Sequence, residues 1–526
     1  MIQNPILPGC NPDPYFLRVE DDYYIATSTF EWFPGVQIHH SKDLVHWQLL
    51  THPLTHVSQL DLRGTPSSGG VWAPNLTYKD GVFYLVYTDV KNRTGVYKDT
   101  HNYLVNATDI MGPWSEPIYL NSSGFDPSLF HDSDGRKWLL NMRWNFRKGY
   151  KRFDGILIQE YSVEKQSLIG SARVILEGAD WVIEGPNLYK KGEYYYLMLA
   201  EGGTGYNHSV TVARSRNILG PYERDPDNPI LTTRNDPDHP LQKAGHGSIV
   251  ETQNGDWYMA YLCARPLKSR KLCPLGRETA LQRCDWTEDG WLRLEGGSHL
   301  PKIIVEGPSL PPYPFKEPKE KENFDEEKLG IHFNTLRVPA DDSWLSLKER
   351  PGYLRIKGRE SLTSLNEQSM VARRIQHYLC NIETCIEFDP EHYMQMAGLI
   401  CLYDENDYFY LRISHDERLG KHLGIVTSKQ GKYDELDNDF ISIEDWDRCY
   451  LRATVREEVI QFYYSKDAIE WNVIGPILDF GQLSDEYEGK LGFTGAFAGM
   501  CVQDLSGQRK HADFDYFEYK IIDAVL

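Results

Sequence analysis

Five stretches in the first three hundred residues share one pattern, and this repetition constrains the fold more than any other feature of the chain. They read NPDPYFLRVEDDYYIATS, WAPNLTYKDGVFYLVYT, FDPSLFHDSDGRKWLLNMRW, IEGPNLYKKGEYYYLMLAEG and GHGSIVETQNGDWYMAYLC. Each runs from a polar or small residue through Pro or Gly into a short apolar strand, a tight turn and a second apolar strand. Alternating or aromatic runs bounded by Asp-Gly, Lys-Gly and Asn-Gly are hairpin signals, and helical periodicity is scarce. Aligning the marked residue of each unit gives Asp13, Ala73, Asp126, Glu184 and His246, spaced by 60, 53, 58 and 62 residues. A turn ending in an aromatic leads out of three units: SKDLVHW (41–47), ATDIMGPW (107–114) and SRNILGPY (215–222). A repeat of about fifty to sixty residues with about four short strands is the footprint of a β-propeller blade. Five units predict five blades. A sandwich with coincidental turns would not mark the same point of every unit.

The repeat fills residues 1–300. Residues 301–323, PKIIVEGPSLPPYPFKEPKEKEN, are rich in Pro, Lys and Glu and read as a linker. Beyond it, over 324–526, runs such as YLRIKG, NIETCIEF, DYFYLRIS and VIQFYYS alternate at period two between polar turns, which predicts an antiparallel β-sandwich of jelly-roll or concanavalin-like type. The chain is therefore expected to be all-β with two domains. The Gly-rich stretch GFTGAFAGM (492–500) is unusual for a sandwich strand. It reads either as a bulged strand or corner, or as a loop serving the first domain.

Composition narrows the partners. The formal charge of −20 over 526 residues argues against nucleic acid and anionic membrane surfaces, which demand basic patches. A neutral substrate fits better. No apolar run reaches membrane-span length, and the N-terminus MIQNPILPGCNPDP shows no basic and apolar leader pattern. The nine scattered cysteines contain no CxxC pair and read as reduced thiols. A cytoplasmic location is expected.

In a propeller the innermost strands line the axis, so Asp13, Asp126, Glu184 and His246 are expected to converge at one end of the funnel. Taken alone, Asp13 in NPDP and Asp126 in FDPS read as Asx-turn residues before proline. Glu184 is harder to dismiss, because a glutamate has little turn-forming use before Gly-Pro and its neighbours Val182 and Ile183 are apolar. Two acids flanking a pocket hydrolyse glycosidic bonds. Desolvation should raise Glu184 and suit it as general acid, while Asp13, among wetter turn residues, stays ionised and activates water. Asp126 would lie between them, holding the acid's pKa up. Non-adjacent blades leave room for a water, which favours inversion of the anomeric centre. His246 in GHGS reads as an axial histidine bound to water or as a ligand to a channel cation. Arg277 in LGRETA either pairs with Glu278 on the surface or points at the axis, where it would clamp sugar hydroxyls or pair with a catalytic Asp. Phe30, Trp72 and Trp144 sit at ends of inner strands, where aromatic faces suit a sugar ring.

The ordered set NPDP, ATSTFEWFPGVQIHHSKDLVHW (26–47), GGVWAPNL (69–76), FDPSLF (125–130), IEGPNLY (183–189), GHGS (245–248) and LGRETA (275–280) resembles glycoside hydrolase family 43, in its β-xylosidase branch with a C-terminal sandwich. The resemblance runs through essentially the whole chain. It implies an inverting exo-hydrolase that removes terminal xylose from short 1,4-β-xylooligosaccharides, as in xylan degradation, with Asp13 as base, Asp126 as pKa-tuning and orienting acid, and Glu184 as general acid. It further implies that Arg277 contacts the sugar, that Phe30 and Trp72 shape the terminal-sugar pocket, and that the sandwich sends in an aromatic, for which Phe497 is the candidate. Homo-oligomers, dimeric or tetrameric, are implied. No cofactor is required, although some such enzymes hold a divalent cation, Ca2+ here, near the axial histidine, which is His246. The competing readings are an α-L-arabinofuranosidase or bifunctional enzyme on the same scaffold and, from a different class, a non-catalytic sugar-binding propeller.

Overall fold

The structure is a computed structural model and describes residues 1–178, 181–436 and 440–522. It is all-β, with short 3-10 turns and no α-helix among the described residues. The chain divides into two compact units. The first comprises 1–60, 68–265 and 277–315; the second comprises 316–526 together with the short segments 61–67 and 266–276.

The first unit is a five-bladed propeller. Each blade is an antiparallel meander of four strands, and blade four adds a short fifth strand, Leu231–Thr232. The innermost strands are Tyr15–Val19, Gly70–Lys79, Gly124–His131, Ile183–Lys191 and Gln242–Glu251. Apolar residues such as Ile25, Leu85, Leu140, Leu197 and Leu281 alternate into the layers between blades and are fully or almost fully buried. The N-terminal residues close the ring. Ile2 and Gln3 pair with Val305 and Ile304, the backbone of Ile6 and Leu7 donates to Thr279 O, and Asn11 N donates to Arg277 O. The buried Asn4 side chain takes both backbone groups of Leu281, donating to its carbonyl at 2.7 Å and accepting from its N–H at 2.8 Å.

Each innermost strand opens on the same irregularity. A residue with left-handed φ precedes Pro or Gly: Asp13 (56°), Ala73 (37°), Asp126 (56°), Gly185 (57°) and His246 (48°). In blades two to five the pairing register slips across this point, between Trp72 and Asn75, Phe125 and Ser128, Glu184 and Asn187, and Gly245 and Ser248. This corrects the sequence alignment at one position. The blade-four counterpart of Asp13 and Asp126 is Gly185, and Glu184 lies one residue earlier, in register with Ala200. A non-glycine residue in this conformation costs about 1–2 kcal/mol, so four of the five blades hold local strain against the rest of the structure.

What holds it is a belt of side chains one column further on. Tyr15, Asn75, Ser128, Asn187 and Ser248 each stand two residues past the left-handed position and reach to the next blade. The Tyr15 side chain bonds that of Asn75, and Asn75 Oδ1 accepts from Leu129 N at 3.1 Å. Ser128 Oγ donates to Pro186 O, and Asn187 Nδ2 to Gly247 O at 3.1 Å. Ser248 Oγ donates to Pro14 O and accepts from Phe16 N, both at 2.9 Å, which brings the belt back to blade one. The belt and the bulges leave an axial void of only about 10 Å³, lined in part by Tyr15, Asn75, Asn187 and His246. That is room for about one water.

The second unit is a two-sheet sandwich. Its sheets are centred on strands Leu379–Glu387 with His511–Ile521 and on Gln395–Asp404 with Phe497–Asp504. Trp344, Ile356, Ile382, Leu411, Phe462 and Phe514 belong to its buried core. The 492–500 stretch is a loop running into a strand, and its glycines serve close packing inside this unit: a Cβ on Gly492 would meet Tyr403 Oη at 1.6 Å, and one on Gly499 would meet Val371 O at 2.1 Å.

Ser248→Ala is expected to strip Pro14 O and Phe16 N of their side-chain partner inside the protein, at about 1–3 kcal/mol for each group left unsatisfied. A lowered midpoint of the propeller's unfolding transition in urea checks this, and an unchanged midpoint contradicts the belt.

Candidate active site

Asp13, Asp126 and Glu184 come to one end of the propeller axis. Asp13 and Asp126 are each 7% exposed and project from the left-handed positions; Glu184 is half-buried and projects from the ladder beside one. Asp126 Oδ2 accepts the backbone N–H of Gly185 at 3.1 Å, which ties the second acid to the residue next to the third. Asp13 Oδ1 faces Arg277 Nη1 at 3.2 Å and His246 Nδ1 at 3.8 Å, while Asp13 Oδ2 accepts from Ser28 Oγ at 2.7 Å. Ser28 Oγ in turn accepts from Ala73 N at 2.8 Å, linking blades one and two.

The environments push these acids apart. Burial would raise Asp13, but Arg277, His246 and the Ser28 hydroxyl outweigh it and hold the carboxyl below its ordinary value. Glu184 is raised to about 7, first by burial and then by the charge of Asp13. Asp126 is pushed up well beyond the usual carboxylate range by burial, then by Glu184 and Asp13. Asp126 and Glu184 are two carboxyls whose charges repel each other, so each disfavours ionisation of the other, and the charge of Asp13 adds to both. His246 is lowered by burial and stays neutral, with Asp13 pulling the other way.

Arg277 immediately precedes strand Glu278–Trp286 and is buried. Its Nη1 also donates to Thr204 Oγ1 at 2.7 Å, and its guanidinium carbon lies 5.6 Å from the centre of the Phe30 ring. The alternative surface pair with Glu278 is not formed. Glu278 takes Arg265, at 2.7 Å through both carboxylate oxygens, and the N–H of Gly9 at 2.9 Å.

The aromatic candidates Phe30, Trp72 and Trp144 fall into place along this end. Phe30 N bonds Val71 O, next to Trp72. Trp72 donates Nε1 to Ser68 O at 2.9 Å and meets the Phe125 ring edge to face at 5.3 Å. Trp144 closes strand Lys137–Trp144, 6.5 Å from Phe125, with Lys98 Nζ 4.8 Å from its ring centre. Phe497 opens a sandwich strand. It is fully buried, and the Arg374 guanidinium carbon lies 5.1 Å from its ring centre.

Sequence reasoning missed Ser28, Thr204, Lys98 and His208. Lys98 is lowered by burial and by Arg93, with Glu184 opposing. His208 donates Nδ1–H to Lys243 O at 3.1 Å, and burial lowers its pKa to about 3. Thr204 had a visible signal in the Gly-rich run EGGTGY; the others had none. The residues around His246 do not fit a divalent cation. Among the described residues no group of three or more His, Cys, Asp or Glu is placed to hold one, and the carboxylate oxygen facing His246 already binds Arg277. Hard cations take six or more oxygens.

Residues 2–292 match the model of glycosyl hydrolases family 43, and residues 321–520 match that of the beta xylosidase C-terminal concanavalin A-like domain. The chain belongs to glycosyl hydrolases family 43. It is 50% identical to a beta-xylosidase of Bacillus subtilis (strain 168), covering 99% of both chains. It is 47% identical to a xylosidase/arabinosidase 43B of Humicola insolens, covering 99% of this chain and 97% of that one. The crystal structure of xylan beta-1,4-xylosidase from Bacillus halodurans C-125 superposes with a TM-score of 0.97 at 56% identity, over 99% of this chain and 100% of that one.

The charge arrangement sets the pH dependence. On the assignment of Asp13 as base and Glu184 as acid, activity is expected to rise as pH climbs through the lowered pKa of Asp13 and to fall as pH passes about 7. Arg277 depresses both groups. In Arg277→Ala both limbs of the kcat/KM profile are expected to move upward, by about one pH unit. A profile that loses height and keeps its position contradicts this assignment.

Proposed function

We propose that this chain is an exo-acting glycosidase that removes terminal xylose from the non-reducing end of short 1,4-β-xylooligosaccharides with inversion. The observation that carries the reading is the opposite drive on two acids at one pocket: Asp13 held ionised by Arg277, and Glu184 pushed up to about 7. Those are the states required of a base and an acid working in one step at neutral pH. Asp13 takes a proton from the attacking water as its oxygen bonds to C1. The bond from C1 to the leaving oxygen breaks, and Glu184 gives that oxygen its proton. Asp126, fixed by Gly185 N, stands beside Glu184 and orients it. Arg277 holds Asp13 in position and contacts sugar hydroxyls, with Phe30 and Trp72 as apolar walls. The axial void beneath is too small for a sugar, so a chain enters from one end and stops, which suits removal of single terminal units. The names of the Bacillus relatives support xylose as the sugar.

A second reading, α-L-arabinofuranosidase activity alongside the first, is supported by the Humicola relative, a xylosidase/arabinosidase. Action inside the cell, as a homo-oligomer of two or four copies, belongs to the same proposal; all nine cysteines are buried thiols, as suits a reducing compartment. A purely sugar-binding propeller leaves the opposed acids without a task.

Paired leaving groups test the assignment. Glu184→Gln is expected to lower kcat on xylobiose about 10²–10⁴-fold, and far less on an aryl xyloside whose leaving group needs no proton. Asp13→Ala is expected to depress both substrates alike. Equal losses in Glu184→Gln refute its role as acid. Proton NMR of early turnover checks the stereochemistry: α-xylose is expected first, and β-xylose would mean retention.

A further inference from the structure

We propose that Tyr97 and Phe146 form a second leaving-group platform, a stacking site for the xylosyl unit two places beyond the scissile bond. The inference rests on the glycosidase reading above and deepens it. A path of rings runs outward from the acids. Phe125, next to Asp126, touches Trp72 and Trp144, and Trp144 packs edge to face on Phe153 at 5.5 Å. At Trp144 the path meets the loop that joins strands Val82–Asn92 and Asp99–Ala107. Trp144 Nε1 donates to Val96 O at 3.0 Å, and Lys98 lies over the same indole, so the residues on both sides of Tyr97 are anchored to Trp144. Tyr97 itself meets Phe146 edge to face at 5.1 Å, and the two rings are 69% and 48% exposed.

Exposed rings on a mobile loop would mean little, but this ledge is built. Asn92 Nδ2 donates to Tyr97 O at 3.1 Å, while Asn92 Oδ1 accepts from Thr94 N and Thr94 Oγ1, both at 3.2 Å. On the Phe146 side, the buried Asn145 donates to Asp154 Oδ2 at 2.6 Å and accepts from Arg147 N and Nε. The Arg147 guanidinium lies 4.0 Å from the centre of the Tyr150 ring, which remains 55% exposed at the edge of the same ledge. A fixed, flat, apolar surface contiguous with the pocket matches the alternating C–H face of a neutral pyranose, and burying that face is favourable.

The test compares xylotriose, which reaches the platform, with xylobiose, which does not. In the parent, KM for xylotriose is expected below that for xylobiose. In Tyr97→Ala and in Phe146→Ala the ratio of the two KM values is expected to shift about three- to tenfold against xylotriose, and Tyr97→Phe is expected to restore it. No advantage for xylotriose in the parent, or a ratio unmoved in both alanine variants, overturns the proposal. So does a loss of oligomeric state in sedimentation, which would make the patch a contact between copies. Failure of the glycosidase reading is seen separately, as absence of aryl xyloside turnover in the parent.

Discussion

The axial belt is the interaction on which the rest of the propeller depends. Five inner strands must converge on a line, and each must place one residue in a left-handed conformation that a side chain disfavours. Tyr15, Asn75, Ser128, Asn187 and Ser248 make this tolerable, because each bonds the backbone or side chain of the next blade just beyond its bulge. Strain of about 1–3 kcal/mol at a functional position persists only where neighbours over-determine it. Here the belt supplies that determination five times, and the last link, Ser248 to Pro14, fixes the residue after Asp13. Ring closure and placement of Asp13 are therefore one event.

Ring closure also sorts the acids. Three carboxylates in a recess would by burial alone all be driven toward protonation. Arg277 breaks the symmetry because it emerges from blade five just where the N-terminal segment is stitched down, with Asn11 N on Arg277 O. Its guanidinium therefore meets Asp13 in direct contact and acts on the other two through space. Asp13 is held down, and its retained charge then helps to raise Glu184 and Asp126. One ion pair thus drives two neighbouring carboxyls in opposite directions.

Much of this was legible in the sequence. The repeat fixed the blade number, and Asp13 and Asp126 stood out because an acid before Pro recurs at the same point of two units. The partner column was legible in principle: Tyr15, Asn75, Ser128, Asn187 and Ser248 all follow the Pro or Gly, and all carry a side chain able to hydrogen-bond. What sequence could not reveal were the contacts made by closure. Ser28 and Lys98 carry no local mark, and they matter only because folding brings Ser28 beside Ala73 and Lys98 over Trp144. Arg277 had an acidic neighbour in sequence, Glu278, and only the structure shows that neighbour engaged by Arg265.

The one-residue offset of Glu184 has a physical cause that also explains its role. The bulge of blade four faces the imidazole of His246: a Cβ at Gly185 would lie 2.9 Å from His246 Cε1 and 3.1 Å from Nε2. With φ at 57° as well, this position admits only glycine at low cost. The blade can therefore carry no acid where blades one and three carry theirs. Its carboxyl must come from the preceding ladder residue, further back along the strand, and a glutamate has the extra methylene to span that distance. The bulge meanwhile keeps its N–H free of side-chain bulk, and that N–H binds Asp126. Two aspartates on left-handed positions and one glutamate on a ladder are thus a single packing solution around His246, and the glutamate reaches the axis from a different point of its strand than the aspartates do.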